Sequence, residues 1–199
     1  MSKGKIARGD LSAAQARQIR GFNDAALSEK LASAWGEFRE SPKDKQELMA
    51  KLKADFSREV LTKADASAGR LLFTKHCSTC HKLFGNGAEI GPDLTGAGRH
   101  DMDYLLSNIV DPRAVVTKDF QMTVFNLADG RTVSGIVTVE NDRTVTVQTA
   151  TEKVTMAKKD IDSRKSSILS LMPDGLLQPL SPKELRDLFK YLQATSQVP

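Results

Sequence analysis

The sequence predicts a mainly α protein with a β insertion, an α+β chain in which a helical framework is interrupted by a small antiparallel meander or barrel. Three observations carry that reading. Apolar side chains recur every three or four residues through most of the first 110 positions and again after position 180, the period of a helix buried on one face. Between Arg131 and Thr149, eleven of nineteen residues are Val, Ile or Thr, a β-branched density that favours strands. Between Phe84 and Arg99 stand Gly85, Gly87, Gly91, Pro92, Gly96 and Gly98, the composition of a loop with special turns.

Taken in order, the first twenty residues are rich in Lys, Arg, Gln and Ala and read either as a helix or as a frayed end. Asn23 and Asp24 are caps for a helix whose stripe is Leu27, Leu31, Trp35 and Phe38. Ser41-Pro42 places a cap and a first-turn proline before a second stripe of Leu48, Met49, Leu52, Phe56 and Val60, running to about Lys63. A third helix begins near Ser67 and passes Gly69, Leu72 and Phe73 before reaching a pair of cysteines. After the Gly-rich loop a fourth carries Leu105, Leu106, Ile109 and Val110 and stops at Asp111-Pro112. The period then changes to two, giving strands near 121–127, 131–140, 143–149 and 151–157, with Asp129-Gly130 and Asn141-Asp142 at hairpin turns. Ser181-Pro182-Lys183-Glu184 is a capping box that opens the last helix, with Leu185, Leu188, Phe189 and Leu192 as its buried stripe.

Composition narrows the class of function. The 199 residues suffice for one generous domain or two small ones, and the 40% hydrophobic and 27% charged fractions are those of a globular chain. A net charge of +4 spread without any Lys/Arg block argues against nucleic-acid binding, and no apolar run of membrane-spanning length occurs. Aromatic residues make up only 6%, so a large core must draw on aliphatic side chains or on a bound cofactor.

The two cysteines, Cys77 and Cys80, are followed directly by His81, giving C-S-T-C-H. Two thiols at this spacing can each add across a vinyl group of haem, and the adjacent imidazole then reaches the iron from the proximal side; C-x-x-C-H is the attachment motif of a c-type haem. Two rivals stand beside that reading. A structural zinc site needs four ligands, of which the cysteines supply two, with His76, His81 and His100 as the remaining candidates. A redox dithiol of thioredoxin type needs the pair after a strand and at the start of a helix, whereas here it closes a helix and enters a Gly-rich loop.

The chain resembles the class I cytochrome c domains. Gly69, Phe73 and Cys77 are spaced as in the first helix of that fold, where a small residue lets the last helix cross closely. Gly91-Pro92-Asp93-Leu94-Thr95-Gly96 looks like its GP-x-L loop, which implies that the Pro92 carbonyl accepts a hydrogen bond from His81. Ser170-Leu171-Met172-Pro173 looks like its distal Met-Pro loop. More closely, residues 66–195 are similar to the C-terminal haem-binding cytochrome c domain of planctomycete and verrucomicrobial dehydrogenase-like proteins, through DMDYLLSNIVDP at 101–112, Asp129-Gly130-Arg131 and SLMPDGLLQPL at 170–180. That resemblance implies the β insertion and divides the chain into an N-terminal helical segment at 1–64 and a cytochrome c domain at 65–199, interrupted at 120–165.

Six Met residues compete for the sixth iron position. Met1 and Met49 are far from the motif, Met122 and Met156 fall among the strands, and Met102 starts a helix. Met172 sits outside any period, in a loop just before the last helix, where the backbone is free to aim a side chain. His100, His76 and an open sixth position are the alternatives. With His81 and Met172 as axial ligands, the thioether raises the reduction potential and no coordination site is left for oxygen or peroxide, so the expected role is electron transfer. Pro92 would orient the proximal imidazole, and Leu94, Leu105 and Ile109 would pack on the porphyrin. An open site would instead mean a haem enzyme or gas sensor, and zinc in place of iron an interaction domain.

Covalent attachment of haem is made outside the cytoplasmic membrane in bacteria, so a periplasmic or exported location follows. The residues after Met1 form no secretory h-region, which is the expectation for a mature form, an engineered form or a piece of a longer polypeptide. The partner is then a redox protein or a fused dehydrogenase domain. Segment 120–165 reads as a flap over one haem edge or as a docking module, with Lys153, Lys158 and Lys159 as a small basic patch.

Overall fold

Short polar side chains start most of the helices. Asp24 accepts a hydrogen bond from Leu27 N at 2.9 Å, Asp65 from Ser67 N at 2.8 Å, and Asp101 from Asp103 N at 2.8 Å. Ser181 and Glu184 complete a reciprocal capping box with Pro182 at the first helical position. In this computed structural model, which describes residues 11, 13–167 and 169–199, those caps open α2 (Ala25–Ala34), α5 (Ala66–His76), α6 (Met102–Val110) and α7 (Pro182–Leu192). The other helices are α1 (Ala13–Arg20), α3 (Lys43–Asp55) and α4 (Arg58–Thr62). Residues 1–10, Met1 among them and half of the N-terminal segment left open between helix and frayed end, lie outside the described residues.

Seven strands accompany them among the described residues: β1 (Gly36–Phe38), β2 (Val115–Thr117), β3 (Met122–Leu127), β4 (Thr132–Glu140), β5 (Thr144–Gln148), β6 (Lys153–Ala157) and β7 (Ile161–Ser167). The fold is therefore mixed α and β. β1 and β2 pair antiparallel, and the other five form one antiparallel sheet in the order β6-β5-β4-β3-β7. The four expected strands form the meander. β7 was not anticipated: it returns along the free edge of β3, Phe125 facing Arg164, with a register shift at Asn126/Leu127. Its addition leaves β6 and β7 as the two edges of an open sheet rather than the seam of a barrel.

Two further elements depart from the expected pattern. The stripe from Leu27 to Phe38 is not one helix, because Gly36 joins β1 opposite Thr117 and Leu27 is exposed. The stripe from Leu48 to Val60 is split after Phe56, where the Ser57 hydroxyl accepts from Val60 N and starts α4.

The chain forms two compact units. One comprises residues up to Arg39 and Arg113–Met172. It holds the five-stranded sheet, whose core is Phe125, Leu127, Val145, Val147 and Met156, and a smaller cluster of Ala16, Leu31 and Trp35. The other comprises Glu40–Pro112 and Pro173–Pro199. In this unit α3 and α4 contribute Leu52 and Leu61 to the same core as Phe73, Leu83, Leu106 and Phe189. Phe56 packs tilted against Phe189 with centroids 4.7 Å apart, and Phe73 against Tyr191 at 5.6 Å. α5 crosses α7 at Gly69, where an added Cβ would meet the Asp187 carbonyl and come within 2.9 Å of Tyr191 Cβ.

Candidate haem-attachment site

α5 ends at His76, and the chain turns tightly: Cys77 N donates to Phe73 O at 2.8 Å and His81 N to Cys77 O at 2.9 Å. The Gly-rich loop folds back over this turn. Ala88 N donates to Ser78 O, Gly91 N to Cys80 O and Leu94 N to Lys82 O, each at 2.8 Å. Phe84 N donates to the Thr95 hydroxyl at 2.9 Å, and Lys82 pairs with Glu89 at 2.7 Å. Main-chain bonds thus hold 78–95 in one shape, and the positions of Cys77, Cys80, His81, Pro92 and Leu94 follow from it.

Nδ1 of His81 lies 2.9 Å from the Pro92 carbonyl oxygen. A carbonyl only accepts, so Nδ1 carries the proton and donates, and Nε2 keeps its lone pair. Burial pushes the imidazole pKa below its ordinary 6.5, only partly opposed by the Pro92 bond, so the ring is neutral at neutral pH. Gly91 makes the approach possible, since a Cβ there would lie 2.6 Å from His81 Cε1.

Both cysteines are unpaired and half-buried. Burial, with a smaller contribution from Cys80, pushes the Cys77 thiol up to about 12. That is opposite to the lowered pKa that makes C-x-x-C pairs reactive, and it disfavours the thiolate that zinc requires. Among the described residues no group of three or more His, Cys, Asp and Glu side chains is placed to hold a metal ion, so a four-ligand zinc site lacks half its ligands. Two free thiols and one unprotonated imidazole nitrogen fit the chemistry of haem c attachment. Leu94, Met102, Ile109, Leu177 and Leu180 are half-buried against the same core and would supply an apolar lining.

The other candidates fall elsewhere. His100 is exposed, and His76 is half-buried with a buried Nε2 that lacks a hydrogen-bond partner. Met156 is packed in the sheet core and Met49 against the helical core. Met172 is half-buried, its amide donating to the Ser170 hydroxyl at 3.1 Å, and is the last residue of the sheet-bearing unit. The other predicted site residues all lie in the helical unit, which resumes at Pro173. Sequence reasoning did not single out Arg99, 3% exposed, whose guanidinium donates to the carbonyls of Leu94, Thr95, Leu192 and Ala194. An arginine following a Gly-rich loop carries no distinctive signal.

A thiol pair followed by a neutral histidine held by a Pro carbonyl is an arrangement that a covalently attached haem could use. In agreement, residues 66–131, about a third of the chain, match the family model described as Cytochrome c. The match supports a cytochrome c domain over that stretch, and with it c-type haem, iron and electron transfer as the class of function, since such domains are typically carriers rather than catalysts. Met172 lies outside the matched residues. No curated protein matches the chain, and no helix of the described residues is long and apolar enough to cross a membrane.

Proposed function

We propose that the protein is an electron-transfer cytochrome holding one haem c, attached through Cys77 and Cys80, with His81 and Met172 as axial ligands. The observation that supports it best is the state of His81: its Nδ1 proton is committed to Pro92, leaving Nε2 as the free donor directly after the thiol pair. Bound haem supplies an iron that changes charge by one electron. The chain's residues determine its environment. Pro92 orients the imidazole and raises its basicity, while Leu94 and Ile109 exclude water and lower the local dielectric. The Met172 thioether favours the ferrous state and closes the sixth position. Met172 directly precedes Pro173, and the residues after it are anchored in the helical unit through Leu177 and Leu180.

The same reading makes the protein a periplasmic or exported relay, exchanging electrons with a redox protein or a dehydrogenase domain of the same polypeptide, and not an enzyme in its own right. On this reading the DMDYLLSNIVDP and SLMPDGLLQPL stretches make it similar to the haem-binding domains of planctomycete and verrucomicrobial dehydrogenase-like proteins. The test is purification from a host with haem-attachment machinery. The expected product is red, heavier by one haem, and inert to thiol alkylation. Its oxidised spectrum should show a sulfur–iron charge-transfer band that Met172→Ala removes. A colourless product with two alkylatable thiols refutes haem binding. Ready binding of carbon monoxide by the ferrous wild type points instead to an open-site haem enzyme or gas sensor.

A further inference from the structure

Lys45 lies near the start of α3, far in sequence from the C-x-x-C-H motif and from Met172. Its Nζ is 2.9 Å from Asp111 Oδ1 and 2.7 Å from Asp174 Oδ1, and only 21% of its side chain is exposed. The Asp111 side chain is 0% exposed and stands at the C-terminal end of α6, where its amide donates to Ser107 O. Asp174 is two residues beyond Met172. A lysine so placed has one carboxylate that holds it and a second that it holds. The fully buried Asp111 fixes the ammonium, because an unpaired buried carboxylate is strongly disfavoured. The ammonium in turn draws in the more exposed Asp174.

Downstream the segment is tied again by the Gly175–Gln178 turn, Gln178 N donating to Gly175 O at 3.0 Å, and by Leu177 and Leu180 in the core. In sequence, the Lys45–Asp174 bond is closer to Met172 than any of these. We infer that Lys45 is a positioning residue for the sixth iron ligand: through Asp174 it fastens the Met172 loop to α3 and the end of α6, keeping the thioether bound. This inference rests on Met172 being that ligand.

Asp174→Ala is the informative variant, since it cuts the arm to the loop and leaves the buried Lys45–Asp111 pair intact. In the haem-loaded protein it should keep the covalent haem and the helical content. It should weaken the sulfur–iron charge-transfer band and raise the rate of carbon monoxide binding to the ferrous form roughly five- to tenfold, the change a half-exposed ion pair can impose on a two-state equilibrium. Asp174→Glu should restore both signals, which a general loss of stability would not allow. Wild-type spectra in Asp174→Ala, with the band present in wild type and absent in Met172→Ala, overturn the positioning role alone. A wild type without the band overturns the ligation reading and this inference with it.

Discussion

Arg99 spends its protons on main-chain carbonyls from two distant segments, the loop after Pro92 and the end of α7. Its guanidinium carbon also sits 4.9 Å from the centre of the Phe84 ring. Lysine retains the charge but not the planar fork, so Arg99→Lys should leave carbonyls without donors and cost about 2–4 kcal/mol. Urea unfolding should show a lower midpoint at unchanged slope; a loss below about 0.5 kcal/mol would reduce Arg99 to an ordinary surface cation. Gly91 acts on the imidazole itself. A methyl group 2.6 Å from His81 Cε1 and 2.9 Å from Nδ1 must move the ring. Gly91→Ala should cost about 1–3 kcal/mol and shift the reduction potential of the haem form, because the bond to Pro92 is strained or broken. An unshifted potential would show that the ring position does not depend on the missing side chain.

At the scale of elements, two contacts are sharp enough to test. Gly69 faces the main chain of α7, and a backbone carbonyl cannot swing aside as a side chain can. Gly69→Ala should therefore separate α5 from α7 at about 3 kcal/mol or more, read as a drop in unfolding midpoint. In the sheet, Glu140 of β4 accepts from Lys158 at 2.8 Å and from Arg164 of β7 at 2.9 Å. These two hydrogen bonds, Lys158 first, hold its carboxyl below the ordinary 4.5. The unfolded chain then binds the proton more tightly, so the stabilisation is present above pH 4.5 and disappears as the pH falls through the lower folded value. Glu140→Gln should lose up to about 1 kcal/mol at neutral pH and match the wild type in acid, measured by thermal unfolding across that range. A penalty that persists in acid would assign the effect to packing. Elements of this kind also mark what could be read in advance. The Ser181 capping box announced α7 because it acts on an amide three residues away, whereas α5 and α6 were read from their apolar residues and their caps at Asp65 and Asp101 emerged only in the structure. β7 gave no such signal: Asp162 to Ser166 are all polar, and the strand exists because the β3 edge offers it a backbone ladder. β1 was hidden for the converse reason, since Leu27, Leu31 and Trp35 repeat with helical spacing and only the pairing with β2 ends the helix. The Cys77-Cys80-His81 cluster was visible because its chemistry is local, whereas Lys45, Asp111 and Asp174 are brought together only by the tertiary fold.

Across the whole molecule, the two cores are completed differently. The sheet core is closed by its own side chains, with Phe125 and Val147 fully buried and Val145 nearly so. The helical unit leaves Leu94, Met102, Ile109, Leu177 and Leu180 only half-buried. With aromatics at 6% of the chain, the covalently bound porphyrin proposed above would be the apolar mass that covers them. If Cys77 and Cys80 anchor haem as proposed, removing both thiols by Cys77→Ala with Cys80→Ala should therefore act on one unit and spare the other. Hydrogen exchange should report amides of α6 and of residues 91–97 opening about tenfold faster or more, equivalent to a loss of about 1.4 kcal/mol or greater in local stability. Amides of β3, β4 and β5 should keep their wild-type protection, because Phe125, Leu127, Val145, Val147 and Met156 bury one another without help. Equal loss in both units would mean that the sheet also depends on haem attachment; no loss in either would mean that the helical core is complete without it.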